Sequence, residues 1–138
     1  MATQFYYCPI CGNVIVKAVD GGTIPHCCGK EMQVLHANTE EGSAEKHIPE
    51  VSIHRAMFPC RDNMVVVKIG NEPHPMNKEH HIKFIYLETV NGGQIIHFDE
   101  FGPDTKAEAH FCLYDDKVLT VYSYCNLHGL WSMKVTCR

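Results

Sequence analysis

The chain lacks any run of apolar residues approaching the roughly 20 needed to span a bilayer, and it lacks any cluster of lysines and arginines. With a formal charge of −4 and a pI near 6.2, it offers no basic patch for nucleic acid or an anionic membrane surface. The N-terminal M-A-T-Q-F-Y-Y-C has no charged segment followed by an apolar one, so no secretory signal is read and a cytoplasmic protein is expected. Low-complexity tracts and internal repeats are also missing, and there is a single tryptophan. Against these absences stand eight cysteines and ten histidines in 138 residues. Without a signal segment a disulfide framework is disfavoured, and metal ligation or redox chemistry is the preferred explanation.

Half of the cysteines fall in the first 36 residues, as C-P-I-C at Cys8 to Cys11 and as the adjacent pair Cys27 and Cys28. The intervening N-V-I-V-K-A-V is β-branched, and D-G-G at Asp20 to Gly22 is a hairpin turn signal. These features predict short strands around four thiols, with too little core to fold unless a bound metal adds free energy. Pro9 stiffens the first knuckle, and Gly12 lets the amides after Cys8 turn toward its sulfur. Four thiolates suit tetrahedral zinc or iron. Spacing does not choose between them: iron would make an electron carrier, zinc a structural staple. Cys27 and Cys28, joined by one peptide link, start with their side chains pointing apart.

The polar stretch A-N-T-E-E-G-S-A at 37–44 reads as a linker, dividing the chain into domains at 1–36 and 45–138. Beyond it N-M-V-V-V-K-I-G, H-I-K-F-I-Y-L-E-T-V, Q-I-I-H-F, E-A-H-F-C-L-Y, K-V-L-T-V-Y-S-Y and L-W-S-M-K-V are strand-forming runs separated by turn signals. No window shows a convincing helical period. About seven short strands predict an all-β fold, a sandwich of two antiparallel sheets.

A second cluster centres on Y-C-N-L-H-G-L-W, where Cys125 and His128 lie three residues apart and Gly129 eases a turn. Further candidate ligands are His47 in E-K-H-I-P, and His74, His80 and His81 in P-H-P-M-N-K-E-H-H. Pro73 and Pro75 keep His74 out of a regular ladder, as a ligand-bearing loop requires. Each histidine taken singly is better read as a surface or satisfied core residue. Taken with Cys125, several imidazoles and one thiolate point to a transition metal, with iron a fitting choice.

In this order the motifs carry a resemblance. C-P-I-C-G followed by H-C-C-G-K-E-M resembles the desulforedoxin-type iron module, and E-K-H-I-P, P-H-P-M-x-x-x-H and Y-C-N-L-H-G-L-W resemble the superoxide reductase catalytic domain. Together they are similar to the desulfoferrodoxin family of two-iron superoxide reductases. The resemblance implies two mononuclear iron ions, one on Cys8, Cys11, Cys27 and Cys28 and one on His47, His74, His80, His128 and axial Cys125. It implies an immunoglobulin-like second domain, with Lys46 steering superoxide to an open metal position and Glu45 occupying that position in the resting oxidised state. The axial thiolate would direct the chemistry to hydrogen peroxide without O–O cleavage. An external electron donor such as rubredoxin and a homodimer are implied as well.

Two departures stand out. The chain is longer than the family pattern near H-R-A-M-F-P-C-R-D-N, which is expected to alter the loop over the open site, and His81 stands where an aromatic such as tyrosine is expected. Cys60, Cys112 and Cys137 match no ligand position and are read as buried or surface thiols, with a Cys60–Cys137 disulfide the weaker choice. His26, His36, His54, His97 and His110 are assigned to strand faces or loops. The rival to the enzyme is a non-catalytic electron carrier using the four-cysteine site, with a structural or sensory second metal. A secreted disulfide protein is the third reading, disfavoured by the missing signal.

Overall fold

The computed structural model describes residues 3–39, 42, 44–70 and 72–135. Contacts divide the chain into two compact units, 1–36 and 37–138.

In the first unit the β-branched and aromatic runs form β1 (Phe5–Tyr7), β2 (Val14–Val16), β3 (His26–Cys27), β4 (Lys30–Glu31) and β5 (Gln33–Leu35). They make an antiparallel sheet in the order β2-β1-β5 and a β3-β4 ribbon. Among the described residues the unit buries Tyr6, Cys8 and Met32 in one cluster flanked by Cys27 and Val34, with Phe5 buried as well. So small an apolar core cannot offset chain entropy alone, which is why the thiols matter to folding as well as chemistry.

The second unit opens with one helical turn, α1 (Ala44–His47), followed by β6 (Pro49–Arg55), β7 (Asn63–Ile69), β8 (Ile82–Thr89), β9 (Gly92–His97), β10 (Glu108–Leu113), β11 (Val118–Cys125) and β12 (Gly129–Lys134). All pairings are antiparallel: β10-β7-β6 form one sheet and β12-β11-β8-β9 the other. Seven strands split three against four give the all-β, immunoglobulin-like sandwich. Alternate residues face inward, so Val65, Val67 and Ile69 of β7 meet Ile85 and Leu87 of β8, Ala109, Phe111 and Leu113 of β10, and Val121 of β11 in one core. Each of the larger side chains among these, Val, Ile, Leu or Phe, contributes roughly 1.5–3 kcal/mol on burial. Cys125, the last residue of β11, belongs to this core and is fully buried.

The single turn α1 is closed by Ile48 N–H to Ala44 C=O at 3.0 Å and is too short to alter the all-β reading. Three sequence expectations change. Asn38, assigned to the linker, is tied to β12: its amide donates to Leu130 O, and its side-chain oxygen accepts from Ser132 N, both at 2.9 Å. Linker residues 40, 41 and 43 lie outside the described residues. The long H-R-A-M-F-P-C-R-D-N segment is the end of β6 and its hairpin connection to β7, with Arg55 opposite Asn63. That connection lies six residues along β6 from Pro49, so it sits at the far end of the sandwich from His47 and does not cover the second cluster.

Cys60 and Cys112 are joined in a disulfide with Cα atoms 5.3 Å apart, which replaces the reading of both as thiols and the Cys60–Cys137 pairing. Met64 and Val66 face outward from β7, and the hairpin connection folds back over them. Cys60 is buried beside these two, within reach of Cys112 on the neighbouring strand. Cys137 lies outside the described residues.

Candidate metal centre

Two clusters of metal-ligating side chains are assembled among the described residues. In the first, Cys8, Cys11, Cys27 and Cys28 converge. Cys28 has a positive φ of 53°, a conformation that costs a non-glycine residue energy. It swings a side chain that would otherwise point away from Cys27 back toward the group. The Cys11–Cys27 and Cys27–Cys28 sulfur separations are 3.5 and 4.0 Å, bracketing the edge of about 3.8 Å expected for a tetrahedron of sulfurs about 2.3 Å from a metal. Backbone N–H groups of Cys11 and Ile10 hold the Cys8 thiol down to about 6, against the opposing effect of burial. The neighbouring sulfurs of Cys11, Cys8 and Cys27 push Cys28 up to about 12, and Cys27 is raised by Cys11 and Cys8. One thiolate is therefore favoured and further ones repel, a conflict that a bound cation resolves.

The second cluster sits at one end of the sandwich, where α1 leads into β6, where the loop after β7 returns to β8, and where β11 turns into β12. The imidazoles of His47, His74, His80 and His128 form a near-square. Ring centroids along its sides are 4.7 Å for His47–His74, 4.7 Å for His74–His80, 5.0 Å for His80–His128 and 4.7 Å for His128–His47, and the His47–His80 diagonal is 6.4 Å. His47 Nε2 and His128 Nδ1 are 3.1 Å apart, close to the 3 Å or so between two nitrogens bound about 2.1 Å from one ion at right angles. Cys125 Sγ lies 3.7 Å from His128 Nδ1.

His74 supplies the test of fit. Its Nδ1 is 2.7 Å from the Pro75 carbonyl, so Nδ1 carries the proton and Nε2 presents a lone pair. That Nε2 and the Nε2 of His80 are buried without a hydrogen-bond partner, an arrangement that costs energy unless something else occupies the lone pairs. Burial pushes the His74 imidazole down to about 4, against its bond to Pro75. Burial, then the charges of His128, His47, His81 and Lys46, lowers His80. Both are thus neutral near pH 7, the state a metal ligand needs. Burial raises the Cys125 thiol, opposed by N–H groups of Leu127 and His128 aimed at its sulfur. This donor set suits a transition metal.

Residues 39–134 match the model of the desulfoferrodoxin family. The chain belongs to that family. A desulfoferrodoxin from Syntrophotalea carbinolica is 36% identical over 129 residues, spanning 94% of this chain and 94% of that relative. A superoxide reductase from Pyrococcus furiosus is 35% identical over 112 residues, covering 67% of this chain and 88% of its own. The crystal structure of the superoxide reductase from Treponema pallidum superposes with a TM-score of 0.74 at 31% identity, over 97% of this chain and 100% of that one.

Within this desulfoferrodoxin fold, Lys46 and Glu45 are exposed on α1 beside His47. His81 stands apart from the square: it is buried, its Nδ1 pairs with Asn77 O at 3.0 Å, and its ring packs 4.4 Å from Phe101. His26, His54, His97 and His110 lie on strands and His36 follows β5. Trp131, which the sequence leaves without a role, stacks on His47 at 4.9 Å and 19°, and its Nε1–H donates to His128 O at 2.9 Å. Buried Ser123 donates to His47 O at 3.0 Å. A lone tryptophan three residues after His128 was the available signal for the first; nothing in sequence marks Ser123.

Proposed function

We propose that the chain is a superoxide reductase, joining superoxide, one electron and two protons to give hydrogen peroxide. The observation that carries this is the square of four imidazoles beside one buried thiol, in a desulfoferrodoxin chain. We assign iron to both clusters, with zinc at Cys8, Cys11, Cys27 and Cys28 as the structural alternative. His47, His74, His80, His128 and Cys125 would hold ferrous iron, which would supply the electron and take up a small anion. The protein's part is to gather, orient and exclude. Lys46 places a positive charge near the square, felt at His80, where it attracts superoxide and donates a hydrogen bond to it. Glu45, one residue earlier, is proposed as the carboxylate that fills the open position before substrate arrives. Leu127 and His128 N–H groups stabilise the Cys125 thiolate, and Trp131 and Ser123 hold His47 and His128 in place.

Because no dioxygen is formed, the electron must be returned from outside. A small carrier such as rubredoxin is proposed as the donor, and the protein is proposed to be a cytoplasmic homodimer; no helix among the described residues is long and apolar enough to cross a membrane. A superoxide pulse onto the reduced, iron-loaded protein is expected to yield one hydrogen peroxide per superoxide and no dioxygen. Dioxygen release, or decay no faster than in buffer, would overturn the enzyme. Lys46→Ala is expected to slow the encounter about tenfold at low salt and to flatten its dependence on ionic strength. An unchanged rate and salt slope would remove Lys46 from the steering role.

A further inference from the structure

Two asparagines enclose His80. Asn77 Oδ1 accepts the His80 amide at 2.8 Å, and the Asn77 amide donates to His80 O at 3.1 Å. Asn126, between Cys125 and His128, takes the flanking groups: its Nδ2 donates to Glu79 O at 2.9 Å, its Oδ1 accepts the His81 amide at 2.9 Å, and its own amide donates to His81 O at 3.1 Å. Every backbone polar group from Glu79 O to His81 O is thereby fixed by one of two side chains or their amides. The next amide, of Ile82, reaches Met76 Sδ at 3.4 Å. The loop has no strand ladder here, so these bonds replace one.

We infer that Asn126 is a positioning residue that couples the His80 loop to the Cys125–His128 turn, setting where the His80 imidazole stands relative to the Cys125 sulfur. The geometry gives the reason. Asn126 shares a peptide bond with Cys125, and its three hydrogen bonds end on the residues either side of His80, across 45 and 47 positions of sequence. A shift of one loop therefore drags the other. Asn77 alone cannot do this, because it belongs to the same loop as His80.

The inference rests on the metal-centre reading, and its test is independent of turnover. In metal-free protein, Asn126→Ala is expected to speed hydrogen exchange at the His81 amide at least tenfold. Loaded with ferrous iron, and separately with zinc, the variant is expected to release metal from the second site to a chelator about 10–100-fold faster, the range seen when groups supporting a ligand are lost. The iron form should also show a shifted thiolate-to-metal absorption band. Asn126→Asp, which keeps the acceptor for His81 but loses the donor to Glu79 O, should fall between. The double serine variant of Cys60 and Cys112 serves as the control for general destabilisation, and should release metal at the wild-type rate. Release within twofold of wild type in Asn126→Ala, or equal acceleration in the control, would overturn the coupling. If the variant behaves as expected while wild type fails the superoxide test, the coupling stands and the enzyme reading falls.

Discussion

Gly70→Ala is expected to cost the second cluster its metal while the four-cysteine cluster keeps its own. Gly70 follows β7 with φ +82°, and a Cβ there would lie 2.6 Å from Glu45 O and 2.7 Å from both Glu72 O and the Lys46 carbonyl carbon. All three are backbone atoms and cannot swing aside. The left-handed conformation costs a residue with a Cβ roughly 1–2 kcal/mol, and forced overpacking typically adds 1–3 kcal/mol, so a loss of about 2–5 kcal/mol is expected. The damage is aimed at the site. The Gly70 amide donates to Ile48 O at 3.1 Å and Glu72 N–H reaches Glu45 O at 3.4 Å, so the turn bearing Glu45, Lys46 and His47 is seated on this glycine. Lifting it moves His47 off the Trp131 ring and away from His128 Nδ1. Metal analysis with the visible spectrum should show one ion lost per chain, and a thermal melt should show the lower stability. Two ions retained with an unchanged melt would mean that the turn can shift without carrying His47.

Reducing the Cys60–Cys112 bond, or replacing both residues by serine, is expected to lower stability by about 2–4 kcal/mol and Tm by roughly 10–20 °C, leaving both metal centres intact. The bond joins residues 52 apart in sequence, and closing so long a loop removes about 4 kcal/mol of unfolded-chain entropy in the chain-entropy description. It pins the β6–β7 hairpin to β10 at the end of the sandwich away from His47, where Arg61 also lies over Tyr114 at 5.2 Å and Asp62 accepts the Asp115 amide at 3.1 Å. Mass spectrometry of alkylated, digested protein should recover the linked Cys60 and Cys112 peptides. Finding both as free thiols in protein purified without reductant would exclude the crosslink, and a loss of metal from the second cluster on reduction would contradict its remoteness from that site.

The strands were legible where burial on one or both faces selects β-branched and aromatic residues. The run N-M-V-V-V-K-I-G became β7, and H-I-K-F-I-Y-L-E-T-V became β8, each within a residue or two. β6 was not among the runs named. As an edge strand it is largely exposed beyond Pro49, so P-E-V-S-I-H-R carries little of the alternation that burial would impose. α1 was missed because one turn is too short to show a period. It forms where the seat at Gly70 and the Ile48–Ala44 bond hold it. The disulfide was misread because spacing says nothing about which outward-facing strand positions a hairpin will fold over.

By itself the sequence determined the chemistry of each donor and the local pairings: C-x-x-C, the adjacent Cys27 and Cys28, and Cys125 three residues before His128. Across three or four residues the covalent chain alone limits how far apart two side chains can be. Tertiary structure decided which distant groups meet. His47 and His128 are 81 residues apart and stand 3.1 Å from each other because the packing of one sheet on the other brings the start of β6 beside the end of β11. His80 faces the square while His81 turns to Phe101 because two asparagines hold the loop between them. Trp131 braces His47 because its Nε1–H bond to His128 O holds the ring against that imidazole. Register and packing are properties of whole sheets, fixed by the sum of many buried side chains, and no short motif contains them.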